Sequence, residues 1–365
     1  MKKKIVLTPF IIFILLSINN YSKDLNIGAG YNGYFSSNIL MNSTEISDYI
    51  SSFSFDLNLS KKNFNFYIDG LSNIYKDNSE FNSFKIEPGF EYLKYLKGRN
   101  YLYLNISYPI LSYKEYFIDF NYSGPVVQFG AKFYLKPTLL FKAGYNFQFR
   151  NYTNFSSFDF TNHTFFLELN KFYRSQTTIR VQSGINYRNY PHIKNYDEYN
   201  NETGVVNALL VPNIFGLLRV SQGLGAKVGI FGEMEFRKNF SGLTDAKTLI
   251  QNSYVIYPYN DNYLWDGSRI SFSLKFIPFY EIAVSGNFSY YNKNYPGIFV
   301  MDEEGLVSTP ETERKDSLFQ FGINITKKIN KLDLYLNTII KNNSSNDLYF
   351  NYKSFALSVG IGYYF

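Results

Sequence analysis

No cysteine occurs anywhere in the 365 residues. That excludes disulfides, thiolate metal sites and a lipid-bearing cysteine. Histidine is almost as scarce, with His163 and His192 alone, so a histidine dyad or triad would have to use one of these two. His163 shares an alternating row with Phe165 and Leu167, and His192 follows Pro191 in a polar connection. Each reads as a surface or interface histidine rather than a general base. The carboxylates Asp302, Glu303 and Glu304 read as a solvated acidic loop rather than a calcium site. The chain is thus expected to be no enzyme and to need no cofactor or metal. Long hydrophobic runs are missing after the first twenty residues, and the mean hydropathy is −0.22. This argues against helical membrane spans but not against alternating strands. Nor is there a Pro/Ser-rich linker or a break in composition, so one domain is expected. The net charge is +6, of which Lys2, Lys3 and Lys4 contribute +3 at the start, leaving +3 on the remainder. Nucleic acid is not the partner of so weak a charge.

What the chain has in excess is aromatic side chains, 20% of the residues, with 35 Tyr and 37 Phe against one Trp, and 24 Gly beside them. Such a composition favours strands. The beginning differs: the three lysines precede an apolar run from Ile5 to Ile18, broken by Thr8, Pro9 and Ser17. That run is shorter than the ~20 residues of a spanning helix, and 1–22 reads as a secretory signal peptide. Residues 23–365 are then a single domain.

From Leu25 the chain repeats one pattern of alternating runs joined by short turns and longer polar connections. Short turns fall at 60–62, 97–99, 136–137, 171–175, 222–225, 277–280 and 328–330. The longer connections lie near 38–49, 76–80, 109–123, 151–157, 190–204, 240–264, 293–314 and 343–349. The pattern predicts an all-β fold, a transmembrane antiparallel up-and-down β-barrel of about 16 strands, with 14 or 18 as neighbouring counts. The stretch 108–122 is where a further strand pair could hide. Within the runs, charges keep to one row. In 176–189 the rows are Ile179, Val181, Ile185 and Tyr187 against Thr178, Arg180, Gln182, Asn186 and Arg188. Hydrocarbon outside and water inside would produce that division; a soluble sandwich would not explain the alternation of short turns with long loops.

The last run, FNYKSFALSVGIGYYF, places Phe355, Leu357, Val359, Ile361, Tyr363 and Phe365 on one face and small or polar residues on the other. Ser358, Gly360, Tyr363 and Phe365 resemble the C-terminal assembly signal of bacterial outer-membrane β-barrels. The resemblance implies a bacterial outer-membrane location and two partners, the surrounding lipid and the barrel-assembly machinery.

A barrel of this girth leaves an aqueous channel, and the polar rows give candidate channel-lining residues. Asp56, Asp69, Glu87 and Glu91 come from the early strands. Lys132, Lys142, Arg180, Arg188, Arg219, Lys227, Arg237, Arg269 and Lys275 come from the later ones, with Glu233 and Glu235 among them as expected partners for the arginines. Acid on one wall and cations on the other would set a transverse field across the pore. The architecture resembles that of general porins, in which the third long loop folds inward and narrows the pore. By that resemblance Glu115 and Asp119 would be the carboxylates of the constriction loop, although the porin Pro-Glu-Phe-Gly-Gly stretch is missing here and Tyr113, Tyr116, Phe117 and Phe120 make the loop aromatic. The expected function is an outer-membrane channel for passive diffusion of small hydrophilic solutes, with a mild anion or zwitterion preference; the resemblance also suggests a homotrimer. The alternative is a non-conducting surface barrel whose loops bind a partner or serve a secretion or envelope system.

Overall fold

A computed structural model describes residues 25–196, 202–240, 265–279, 281–300 and 312–364. The expected signal peptide, Phe365 and the triplet Asp302 to Glu304 lie outside the described residues, as does most of the 240–264 connection.

Sixteen wall strands run in chain order. The first half comprises β1 (Leu25–Ser36), β2 (Asp48–Lys61), β3 (Phe64–Tyr75), β4 (Ser83–Tyr95), β5 (Tyr101–Ser107 and Ile110–Tyr113), β6 (Tyr122–Ser123 and Val126–Lys136), β7 (Leu139–Tyr152) and β8 (Phe160–Phe172). The second half comprises β9 (Thr177–Tyr196), β10 (Glu202–Leu224), β11 (Val228–Asn239), β12 (Asp266–Phe276), β13 (Ile282–Phe299), β14 (Glu313–Ile329), β15 (Leu332–Ser345) and β16 (Tyr352–Tyr364). Each strand pairs antiparallel with its sequence neighbours, and β1 pairs with β16 to close the cylinder. No strand is left with a bare edge, which removes the aggregation hazard that the apolar last strand would otherwise pose.

Strands β5 and β6 each contain a gap at a proline. Ser107 pairs with Gly89, and Ile110 pairs with Ile86 in the same register; Pro109 between them cannot donate to the ladder. On β6 the gap falls at Gly124-Pro125, and again the pairing with β7 resumes without a slip. The stretch near 108–122 therefore lengthens two wall strands instead of adding a pair, and the strand number stays at 16. The longer connection shrinks to 114–121, most of it the 3-10 helix Glu115–Phe120.

Strands β9, β10 and β13 also run further than the sequence suggests, turning parts of 190–204 and 293–314 into paired strand. The register of β9 on β10 shifts between Tyr190 and Ile193, where Pro191 interrupts the donors. Gly98 (φ 76°) and Gly225 (φ 70°) provide left-handed positions in two of the short turns.

The register sorts every strand into two rows. On β16, Phe355, Leu357, Val359, Ile361 and Tyr363 are exposed on the outer face, whereas Ser354 and Ser358 are buried on the inner one. The outer row continues around the wall with Phe53, Phe55, Phe165, Leu167, Val181, Leu218, Met234 and Phe272, all exposed. Such a band, apolar and turned outward, is the surface a bilayer covers. The buried apolar cluster lies instead at the rim of the long connections, where Phe120, Tyr152, Phe158, Phe160, Tyr190, Val211, Trp265 and Tyr295 pack together.

Candidate functional site

The inner face of the cylinder gathers the charges. Asp56 lies directly across from Asp69, and Asp69 across from Glu87, so three carboxylates stand in one row on β2, β3 and β4. Lys85 pairs with Glu87 at 2.7 Å, and Ser107 donates to the same carboxylate at 2.8 Å. Glu91 accepts from Asn65 at 3.1 Å and from Asn105 at 3.2 Å.

Cations dominate from β6 onward, and most are tied to buried glutamates. Glu168 on β8 holds Lys142 of β7 and Arg180 of β9, each at 2.7 Å, and also accepts from Asn170 at 2.7 Å. Glu233 on β11 takes Arg219 of β10 at 2.5 Å and pairs with Arg269 of β12. Arg269 reaches Glu235 as well, at 2.9 Å, and Glu235 holds Arg237 at 2.7 Å. The expected pairing of the glutamates with arginine neighbours is thus found, and each glutamate bridges two cations. Shared carboxylates between guanidinium forks fix the side chains far better than isolated surface pairs do.

Asp56, Asp69, Glu87, Glu91, Lys132, Lys142, Arg180, Arg188, Arg219, Glu233, Glu235, Arg237, Arg269 and Lys275 all fall on the inner row by register. Lys227 does not belong to a strand; it sits exposed in the turn between β10 and β11, where its carbonyl accepts from Ile277. Arg188 is inner but buried at the rim, stacked 4.1 Å from the Phe160 ring and donating to the Tyr190 hydroxyl.

The 114–121 connection joins its neighbours on the rim through rings. Phe117 packs at a tilt against Phe81 with centroids 4.4 Å apart, and Phe120 lies 6.4 Å from Phe155 and 6.1 Å from Phe158. Asp119 is exposed, and the side chain of Glu115 lies outside the described ones. Across the rim, Asp48 at the head of β2 gathers the next loop: it accepts from the backbone N–H groups of Lys76, Asp77 and Asn78 and from the Asn78 amide. Burial pushes the Asp48 carboxyl up, but the N–H groups of Asn78, Asp77 and Tyr49 outweigh it and hold the group below its ordinary value.

The histidines take no part in the inner face. His163 sits on the outer row, where its Nδ1 meets the Tyr145 hydroxyl at 2.8 Å. His192 is exposed near Asp159, 3.6 Å away.

One arrangement on the inner wall is not visible in the sequence alone. Along a single hydrogen-bonded row, Tyr103, Gly130, Gly144, Phe166, Gly184 and Phe215 follow one another across β5 to β10. Tyr103 lies flat on Gly130, Phe166 on Gly144 and Phe215 on Gly184; a Cβ at any of the three glycines would come within 2.4 Å of the ring above it. Tyr67 on Gly89 and Tyr335 on Gly360 repeat the device elsewhere. Glycine is used here so that a neighbouring ring can lie against the backbone. The alternation alone places these residues on the inner row. Only the pairing register shows which glycine receives which ring.

Between β4 and β9 the inner wall forms an open recess of about 420 Å³. Glu91, Tyr101, Tyr103, Lys132, Phe166 and Arg180 are among its lining residues, together with Asn105, Lys142, Glu168 and Gln182.

No protein-family profile matches the chain, and no curated protein does. Solved structures do. OccAB1 of Acinetobacter baumannii superposes with a TM-score of 0.52 at 8% identity, over 94% of this chain and 97% of that one. OprB of Pseudomonas putida gives 0.52 at 10% identity, over 96% of each chain. The outer membrane protein OpdK of Pseudomonas aeruginosa gives 0.50 at 9% identity, over 94% and 99%. The chain thus has the porin-like barrel fold of outer-membrane proteins, spanning nearly the whole length of each of these solved structures.

Proposed function

We propose that the protein is an outer-membrane channel through which small hydrophilic solutes diffuse passively, with a mild preference for anionic and zwitterionic ones. The observation that carries this reading is the division of the inner wall. Carboxylates occupy β2 to β4, and a cation-rich network bridged by Glu168, Glu233 and Glu235 occupies β6 to β12. A ring of 16 strands is wide enough for water, and opposed walls of unlike charge orient dipolar solutes in the space between. The rings lying on glycines fit the same reading, because a ring set against a glycine backbone projects less into the interior.

Asp119 and Glu115 would contribute to a constriction in this reading. Assembly would follow the usual route for such barrels, with Ser358, Gly360, Tyr363 and Phe365 read by the assembly machinery and the outer band meeting lipid or two further copies. The reading assigns the protein no catalytic step. The ring contacts that join the rim loops favour a second reading, a barrel whose loops form a closed, partner-binding surface. Liposome swelling separates the two. Proteoliposomes should admit small zwitterions and anions faster than cations of equal size, and reversing Arg180, Arg219 and Arg237 to glutamate should invert that order. Liposomes that contain folded protein yet swell no faster than empty ones would support the surface barrel.

A further inference from the structure

The recess between β4 and β9 holds two charges of opposite sign that the wall leaves without ionic partners. Glu91 accepts only the amides of Asn65 and Asn105 and has no cation among the described residues. Lys132 has no carboxylate among them; its ammonium lies over the rings of Tyr101 at 5.0 Å and Tyr134 at 5.3 Å. Like charges also face each other here, since Lys132 is directly across from Lys142 in the β6–β7 pairing. The Lys142 ammonium is turned to Glu168, which it shares with Arg180, so Lys132 is the cation of this pair left without a carboxylate. The Arg180 Nε is buried with no hydrogen-bond partner.

The wall here is aromatic as well: Tyr103 stands between the two charges, and Phe166 lies beyond Lys132, on the far side of the Lys142 strand. Tyr103 and Phe166 line the recess, and both lie flat because Gly130 and Gly144 are beneath them. Their faces therefore form a shelf with the row of the carboxylate on one side and the row of the ammonium groups on the other. The spacing follows from the sheet lattice. Glu91 is across from Asn105, Asn105 is across from Gln128, and Lys132 is four residues further along β6. Two strand spacings and four residue rises separate the backbones by about 16 Å. A span of that order suits a short peptide rather than a free amino acid.

We infer that this recess is a binding subsite for an elongated zwitterion with an apolar middle, the chemistry of a short peptide. The ammonium end is held by Glu91, the anionic end by Lys132 and Lys142, and the apolar side chain lies on Tyr103 and Phe166. The inference rests on the channel reading for its purpose, since a shallow subsite on the wall would hold such a solute briefly during passage, but its test does not depend on conduction. Because Glu91 and Lys132 have no other ionic partner among the described residues, engaging them breaks no existing ion pair, while Lys142 keeps its pairing with Glu168. The rings add a face that accepts many apolar side chains without specifying one.

Titration calorimetry on the barrel refolded in detergent tests this directly, with alanyl-phenylalanyl-alanine as the probe. The wild-type protein should bind it saturably, and Glu91→Gln and Lys132→Gln should each weaken binding at least tenfold while keeping the β-sheet circular dichroism of the parent. N-acetylation or C-terminal amidation of the probe should weaken binding to the wild-type protein to the same extent. Binding that is absent, or that is indifferent to both substitutions and to both blocked peptides, would overturn the inference. If one variant fails to fold, the other and the two blocked peptides still decide it. Channel conductance is a separate readout, so peptide binding by a silent barrel would sink the channel reading and leave the subsite standing, and a conducting barrel without binding would do the reverse.

Discussion

Replacing Glu168 by Gln tests whether the inner-wall network holds the barrel together. The Glu168 side chain is only 3% exposed and accepts hydrogen bonds at 2.7 Å from Lys142, Arg180 and Asn170. Glutamine keeps the shape and one acceptor, so packing is unchanged. What is lost is the charge shared by two cations, and the new amide N–H₂ must face one of them. Hydrogen bonds to charged groups contribute about 1.5–3 kcal/mol each, which would give about 3–6 kcal/mol for the pair. Lys142 and Arg180 remain 37% and 29% exposed, however, and water screens whatever repulsion is left between them. A loss of about 2–3 kcal/mol in unfolding free energy is therefore expected. Urea unfolding of the detergent-refolded protein reads this quantity, with the fluorescence of the single Trp265, buried in the rim cluster, as the reporter. An unfolding curve that coincides with that of the parent would refute the reasoning, because it would mean that the shared carboxylate contributes nothing net.

Three further outcomes are expected. Val181 faces outward between Leu169 and Leu218, while Gln182 faces inward one residue later; Val181→Arg should cost about 2–4 kcal/mol in bilayers, as arginine does on the lipid face, and Gln182→Arg should cost less than 1 kcal/mol, both measured by unfolding from lipid vesicles. Gly144→Val should lift the Phe166 ring from the wall, since even a Cβ would lie 2.4 Å from it, and should lower single-channel conductance; an unchanged conductance would mean that the ring does not narrow the path when raised. Asp48 binds the 76–78 backbone as a carboxylate with a lowered pKa, so its contribution is fully present above the ordinary value of 3.8 and is lost as the pH falls below it; hydrogen exchange of the Lys76, Asp77 and Asn78 amides should accelerate in that acid range, and Asp48→Asn should abolish the pH dependence.

The barrel was legible in the sequence because its governing signal is local. A period of two needs only neighbouring residues, and the rows of β9 and β16 could be read one strand at a time, as could the outward Phe355, Leu357 and Val359. The same local signal nominates the charged residues of the polar rows. What escaped depends on pairing between strands. Glu168 meets both Lys142 and Arg180 because β7, β8 and β9 adopt one particular register, and no single strand carries that information. The ring and glycine contacts are non-local in the same sense. Pro109 misleads for a different reason: in isolation it signals a loop, yet the paired strands on either side hold the chain in register across the missing donor. Alternation counted along the chain places Lys227 in a wall row, whereas the left-handed turn at Gly225 ends the strand before it.

The central claim is that the cylinder encloses a continuous path of water, bounded by unlike charges. Current across a planar bilayer containing the purified full-length barrel measures that most directly. Discrete ion steps of porin size, with a reversal potential in a salt gradient displaced toward the anion, are the result expected. A bilayer that stays silent although insertion is verified by protease protection would contradict the claim.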